Sequence, residues 1–315
     1  MKTVPLGSTG VQVSALGLGS MYFGSRDDEQ TSCAMLDQYV EAGGTFIDTA
    51  NKYLDTVPGF CGGESEALIG RWMKARGNRE KMFLATKVGF EIGADVPRRL
   101  TAALIEQECD RSLKRLGVDT IDLYYAHTDD RQTPLEESMQ AFDSLVRKGK
   151  VRFLGASNYA AWRLSEANML CAQRGWAQFC CIQQRHTYLR PRPGSVFTSG
   201  TLGADEDLLD YVRARNVPLV AYSPLIKGAY TRGDREIREQ YRSADSDARL
   251  KVLFQVAEEA GATPLQGVLA WMMQSEPPVI PIFSASKPEQ MRENLGALDV
   301  KLSDQQMETL NKAGA

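Results

Sequence analysis

The stretch Thr45-Phe-Ile-Asp-Thr-Ala-Asn-Lys-Tyr53 decides how the chain is read. Thr45 to Ile47 is a β-branched and aromatic run, the pattern of a short buried strand. It delivers Asp48 to the strand's C-terminal end and, a short loop later, Tyr53. Two further strand-like runs also end on polar groups. Met82-Phe-Leu-Ala-Thr-Lys87 ends on an ammonium, and Ile121-Asp-Leu-Tyr-Tyr-Ala-His127 ends on one of the chain's 2 histidines. In a closed parallel barrel the C-terminal strand ends share one mouth, where such folds keep their chemistry. Asp48, Tyr53, Lys87 and His127 would then meet in one pocket.

The flanking sequence supports that architecture. Thr3-Val-Pro-Leu6 and Val11-Gln-Val-Ser14 enclose a glycine turn and predict a β-hairpin. Ala15 to Ser20 predicts the first buried strand, and a helical pattern from Glu29 to Ala42 stops at Gly43-Gly44. Strand-like runs recur at Val151 to Ala156, Phe179 to Gln183, Val217 to Tyr222 and Pro278 to Phe283, each followed by helix-like sequence. Their spacing is roughly 30 to 40 residues, as a strand–helix unit requires. The seventh unit is longer, extended by the charged segment from Thr231 to Arg249. Thr133-Pro-Leu-Glu136 predicts a capping box, and Ser303-Asp-Gln-Gln306 predicts another for a C-terminal helix. Eight such units predict an α/β fold, a (β/α)8 TIM barrel with an N-terminal β-hairpin and a C-terminal extra helix, as a single domain over residues 1–315. The alternative is an open doubly wound sheet. It lacks its glycine fingerprint: in Gly17-Leu-Gly19, Tyr22 stands where the third glycine is needed, so these glycines read as packing.

Composition narrows the function classes. A net charge of −3 without a basic run argues against nucleic acid. The N-terminus lacks the apolar core of a signal peptide and no apolar stretch is long enough to span a bilayer, so the expectation is a cytoplasmic protein with no membrane partner. The 6 cysteines show neither metal-ligand nor disulfide spacing, so no metal is expected.

The four polar groups suggest a reaction. Tyrosine is a poor acid near neutral pH because its ordinary pKa is about 10. A lysine within hydrogen-bond reach favours the phenolate, and each pKa unit of lowering is worth roughly 1.4 kcal/mol. A carboxylate keeps that lysine charged, and an imidazole can orient a carbonyl oxygen. The set suits protonation of a carbonyl oxygen as a hydride arrives at its carbon. Each member also has a plain structural reading: Asp48 as a cap, Lys87 as an exposed strand end, Tyr53 as a packed aromatic, His127 as a satisfied core histidine. A Schiff-base lysine is a second chemistry for Lys87, disfavoured because Asp48 would raise a pKa that such a lysine needs lowered.

Across nearly the whole chain the sequence resembles the aldo-keto reductases. The carriers are Leu6-Gly-x-Thr-Gly10, Leu16-Gly-Leu-Gly19-x-Met21, Phe46-Ile-Asp-Thr-Ala50 with Tyr53, and Gly63-Glu-Ser-Glu66. Ala85-Thr-Lys87, Asp119 to His127, Gly155-Ala-Ser-Asn158, Ala221-Tyr-Ser-Pro-Leu225 and Gln290-x-x-Glu-Asn294 continue the match. The resemblance implies NADP(H), with NAD(H) as the alternative, lying across the barrel mouth, with Tyr53 as general acid/base, Lys87 and Asp48 as its tuning pair and His127 as carbonyl orienter. It implies Ser157, Asn158 and Gln183 on the nicotinamide carboxamide, Tyr222 beneath the ring, and Ser223, Leu225 and Gly228 at the pyrophosphate. Gly19, Met21, Ser284, Glu293 and Asn294 complete the implied cofactor contacts. For the adenosine 2′-phosphate, many members carry an arginine or lysine in the segment that here offers Ser286, Lys287 and Gln290. That run resembles the potassium channel β-subunit branch, which makes a cofactor-binding regulatory or redox-sensing subunit the alternative to an enzyme. The intact His127 favours the enzyme.

Substrate recognition is expected from Tyr22, Phe23, Thr128, Asp129, His186, Tyr188 and Arg190, in loops leaving the catalytic strand ends. His186 replaces an aromatic, and the loop from Leu54 to Gly63 is longer than usual. The polar members suit a small carbonyl compound or sugar with several hydroxyls, or else cap and pair at the rim.

Overall fold

The chain's computed structural model describes residues 1–54, 57–90, 99–197 and 201–314. Asp55 and Thr56, in the long loop after Tyr53, lie outside the described residues.

Strands β1 (Thr3–Pro5) and β2 (Gln12–Ser14) form the expected antiparallel hairpin, joined through a short 3-10 turn at Gly7–Thr9. Eight parallel strands follow: β3 (Gly17–Gly19), β4 (Phe46–Asp48), β5 (Phe83–Val88), β6 (Ile121–Ala126), β7 (Val151–Ser157), β8 (Phe179–Arg185), β9 (Leu219–Tyr222) and β10 (Ile280–Phe283). They close into one barrel in sequence order, with β10 pairing both β9 and β3. Because every barrel strand is parallel, all C-terminal ends emerge at the same face.

The barrel is packed rather than hollow. Leu6 and Val13 of the hairpin close its floor against Phe46, Phe83, Leu123, Tyr125, Val220 and Ile280. The reading of Gly17 and Gly19 as packing glycines holds. A Cβ on Gly17 would stand 2.4 Å from Ile282 Cδ1, and one on Gly19 2.9 Å from Ile282 Cγ2. Only a bare backbone admits Ile282 there.

Helices α1 (Glu29–Glu41), α2 (Glu64–Arg76), α3 (Ala102–Leu116), α4 (Leu135–Arg147), α5 (Ala161–Arg174) and α6 (Glu206–Arg215) alternate with the strands. The charged seventh unit contributes α7 (Ala244–Glu259), after which α8 (Pro264–Met273) leads to β10, and α9 (Pro288–Leu295) and α10 (Asp304–Lys312) end the chain. The expected extra C-terminal helix, α10, packs on α7, so the insertion and the tail form one additional layer. The box at Ser303 and Gln306 is present. The one at Thr133 is not, because Asp130 has taken its donors: Asp130 Oδ1 accepts from the backbone N–H of Gln132 at 2.8 Å and Thr133 at 3.2 Å, and the Thr133 hydroxyl bonds the same carboxylate. Glu136 pairs with Arg174 instead. Among the described residues no helix is long and apolar enough to cross a membrane.

Candidate active site

Strand register sets the site. Gly19 lies beside Asp48 in the ladder, Asp48 beside Ala85, Lys87 beside Tyr125, and Ser157 beside Gln183. The last residues of β4 to β8 therefore ring the mouth. Lys87 is 1 % exposed, and its Nζ donates to Asp48 Oδ1 at 2.5 Å, the Thr49 carbonyl at 2.7 Å and Tyr53 Oη at 2.9 Å. All three ammonium protons are thus placed. Gln183 donates its Nε2–H to Asp48 Oδ2 at 2.7 Å, fixing the carboxylate from the other side. The His127 ring meets the Tyr53 ring edge-on, with centroids 6.3 Å apart. Asp48, Lys87 and His127, singled out by their strand ends, form one constellation with Tyr53 of the loop after β4.

Their electrostatics differ from expectation in one respect. Burial alone would push the Lys87 ammonium down, but Asp48 and Tyr53 outweigh it and carry its pKa above the ordinary lysine range. The Tyr53 phenol is pushed up to about 12 by burial, not down: Lys87 lowers it by charge and hydrogen bond, while Asp48 raises it again. The expected lysine effect is present but smaller than the loss of solvent. Tyr53 therefore holds its proton at neutral pH.

A layer behind the constellation escaped the sequence reading. Glu66, fully buried on α2, accepts from Thr86 Oγ1 at 2.6 Å and from Arg115 Nε at 2.6 Å, next to Lys87. Glu108 on α3 accepts from Asn51 Nδ2 at 2.9 Å, two residues before Tyr53. Both acids interrupt apolar helix faces, a signal that marks a buried pair. Phe90 was also missed; its ring lies 4.8 Å from that of His127.

The residues expected to hold a cofactor adjoin this set. Asn158 (φ 58°) donates to the His127 carbonyl at 2.9 Å and Ser157 Oγ at 3.1 Å, and accepts at Oδ1 from Tyr222 Oη at 2.8 Å. Tyr222 is thereby held by its hydroxyl, and the Arg185 guanidinium covers its ring at 5.1 Å. Ser223, Ile226 and Lys227 all adopt positive φ, of 57°, 48° and 58°. Such strain in non-glycine residues, one of them β-branched, collects at ligand-holding segments. Leu225 is buried, and Gly228 (φ 82°) donates its N–H to the Leu225 carbonyl at 2.7 Å. Ser284 and Lys287 are exposed, the buried Asn294 donates to the Ser284 carbonyl at 3.4 Å, Gln290 accepts from the Ser286 N–H at 3.0 Å, and the Glu293 carbonyl accepts from Gln266.

The substrate candidates divide. Tyr22 is half-buried in the loop after β3, next to the exposed Met21 expected at the cofactor, while Phe23 and Thr128 are buried. Asp129 is consumed by ion pairs with Arg131 and, at 3.2 Å, Arg163. Three expectations are corrected by packing. His186 stacks on Trp271 of α8, Tyr188 donates its hydroxyl to the Leu310 carbonyl of α10 at 3.0 Å, and Arg190 reaches Asp245 of α7 at 3.9 Å. Helices α7, α8 and α10, packed on one another, hold all three.

Residues 15–315 match the sequence model of the aldo/keto reductase family. The chain is 32 % identical to the uncharacterized oxidoreductase YrpG of Bacillus subtilis, an alignment covering 99 % of this chain and 95 % of that one. It is 31 % identical to an NADP(+) aryl-alcohol dehydrogenase of Phanerodontia chrysosporium, over 96 % of this chain and 83 % of that one. The crystal structure of the thermostable aldo-keto reductase Tm1743, in complex with the inhibitor epalrestat, superposes with a TM-score of 0.76 at 30 % identity, covering 99 % of both chains. A closed parallel barrel of this topology, matched end to end by such relatives, leaves one assignment: the chain belongs to the aldo/keto reductase family.

Proposed function

We propose that this protein is a nicotinamide-dependent carbonyl reductase in which Tyr53 protonates the substrate oxygen. The observation that carries the reading is the three-way grip of Lys87 on Asp48, Thr49 and Tyr53. The reduced nicotinamide supplies the hydride when bound. Tyr53 donates from its neutral form, and Lys87 offsets the negative charge that builds on the phenolic oxygen, stabilisation needed chiefly in the transition state. Asp48 and Gln183 keep Lys87 charged and in place. His127, steadied by Phe90, orients the carbonyl oxygen.

The donor set fits a nicotinamide. Ser157, Asn158 and Gln183 converge at neighbouring strand ends and offer the mixed donors and acceptors a carboxamide needs. Tyr222 offers a flat floor whose hydroxyl is already fixed. Ser223, Leu225 and Gly228 take the pyrophosphate, and Ser286, Lys287 and Gln290 the adenosine 2′ end. The resemblance and the name of the fungal relative point to NADP(H); the carboxylate beside Ser286 speaks for the alternative, NAD(H).

For substrate, the sugar reading draws on the polar residues of the loops after β6 and β8; of these Asp129 pairs with Arg131 and Arg163, and Arg190 lies 3.9 Å from Asp245. Phe90, beside His127, instead supplies an aromatic wall. The reading is an aldehyde or ketone on an aromatic or apolar body, as the aryl-alcohol name of one relative suggests for that protein. The test compares kcat/KM for benzaldehydes and for aldoses of similar size, with NADPH and with NADH. Turnover of neither set would favour the regulatory-subunit alternative, and a preference for aldoses would restore the sugar reading.

A further inference from the structure

The loop between β3 and α1 borders the mouth and is tightly folded. The Tyr22 carbonyl accepts from the backbone N–H of Ser25 at 3.2 Å and of Asp27 at 3.0 Å. The Asp27 carbonyl accepts from Ser32 Oγ at 3.2 Å, and Asp28 caps α1 through the Thr31 N–H at 2.7 Å. Asp27 is 9 % exposed, and these bonds fix its backbone. Its Oδ2 accepts from Ser286 Oγ at 3.2 Å, across 259 residues of sequence. Burial raises the Asp27 pKa, with the Ser286 hydrogen bond opposing. Arg26, the neighbouring cation, is turned over the Tyr22 ring at 5.2 Å.

Ser286 belongs to the segment assigned above to the adenosine 2′ end. In the next turn Arg292 is taken by Glu289 at 3.3 Å, leaving Lys287 as that segment's cation without a carboxylate partner among the described residues. A phosphate placed at Ser286 meets the Asp27 carboxylate through the same hydroxyl, and like charges at that range repel. A ribose 2′-hydroxyl in that place can instead donate to the carboxylate, the arrangement by which acidic residues select an unphosphorylated ribose.

We propose that Asp27 sets cofactor choice, accepting a hydrogen bond from the 2′-hydroxyl of NAD(H) and opposing the 2′-phosphate of NADP(H), so that the chain binds NADH at least as tightly as NADPH. The inference rests on the reading of Ser286, Lys287 and Gln290 as the 2′ end.

The test is fluorescence titration of the full chain with NADH and NADPH, for wild type, Asp27→Asn, Ser286→Ala and Lys287→Ala. The wild-type ratio of Kd for NADPH to Kd for NADH should be one or greater. Asp27→Asn keeps an acceptor for Ser286 but removes the charge, and should tighten NADPH about tenfold, equivalent to about 1.4 kcal/mol. Lys287→Ala should weaken NADPH alone. Wild type binding NADPH tenfold tighter than NADH overturns the proposal. So does a ratio unmoved by Asp27→Asn but moved by Lys287→Ala, a result that leaves the 2′-end assignment standing. A ratio unmoved by all three substitutions removes the assignment and the proposal together.

Discussion

Lys87 and Arg249 are both buried cations, 1 % and 3 % exposed, yet their surroundings differ in kind. Lys87, at the end of β5, is held by a carboxylate, a phenol and one carbonyl. Arg249, on α7, donates Nε to the Tyr188 carbonyl at 2.8 Å and Nη1 to the Ala313 carbonyl at 2.7 Å, and lies 4.3 Å over the Tyr188 ring. Burial lowers the pKa of Arg249, whereas acid and phenol carry that of Lys87 above its ordinary range. Backbone carbonyls cannot exchange protons, so Arg249 can only fasten the tail to the extra helical layer. The phenol can, so in the proposed mechanism Lys87 acts one hydrogen bond from the proton donor. What distinguishes a working buried charge from a structural one is the titratability of its partners.

Tyr53→Phe presses hardest on that contrast. It should cut kcat for carbonyl reduction roughly 10²-fold or more while leaving the cofactor Kd unchanged, because the phenol acts only in the transition state. A variant retaining a tenth of wild-type kcat would place the proton donor elsewhere.

Arg249→Met should behave in the opposite sense. Two buried carbonyls lose their donor, at about 2 kcal/mol in total from urea denaturation, and kcat of the folded protein stays at the wild-type value. A large fall in kcat with unchanged stability would erase the distinction between the two cations.

The third prediction concerns pH. With the phenol pushed up to about 12, Tyr53 stays protonated throughout the neutral and mildly alkaline range. Reduction needs that form, so its kcat/KM should be level from about pH 6 to 9, whereas alcohol oxidation needs the phenolate and should rise about tenfold per unit. A reduction rate that falls near pH 7 would show that the bound cofactor drives the phenol far down.

The last prediction concerns His186, stacked on Trp271 of α8, whose pKa burial, then Arg249, push down to about 4. A histidine with a lowered folded pKa destabilises as the medium acidifies, because the unfolded chain takes up the proton first. The loss begins near 6.5, the ordinary value, and is complete near 4. His186→Phe should remove that part of the acid sensitivity, read as Tm between those pH values. An unaltered acid profile would mean that His186 titrates freely.

Asp48, Lys87 and His127 were legible because a strand's direction and its terminal residue are local facts. Once the count of strand–helix units implied a closed parallel barrel, those ends had to converge. Tyr53 was legible only by its nearness to Asp48. Arg190, Tyr188 and His186 misled because a loop's departure point does not fix its course, and the layer that captures them is built from α7, α8 and α10, far along the chain.

The sequence by itself determined the barrel, its closing hairpin and the polar residues at its mouth, since apolar periodicity and turn residues act over a few positions. Tertiary structure decided the sign of the Tyr53 shift, because desolvation depends on everything packed around the ring. It also decided the pairings of Gln183 with Asp48, 135 residues apart, and of Ser286 with Asp27, 259 apart. Hydrogen bonds and charges act through space at a few ångströms, and no local pattern in the chain records which distant residues will come that close.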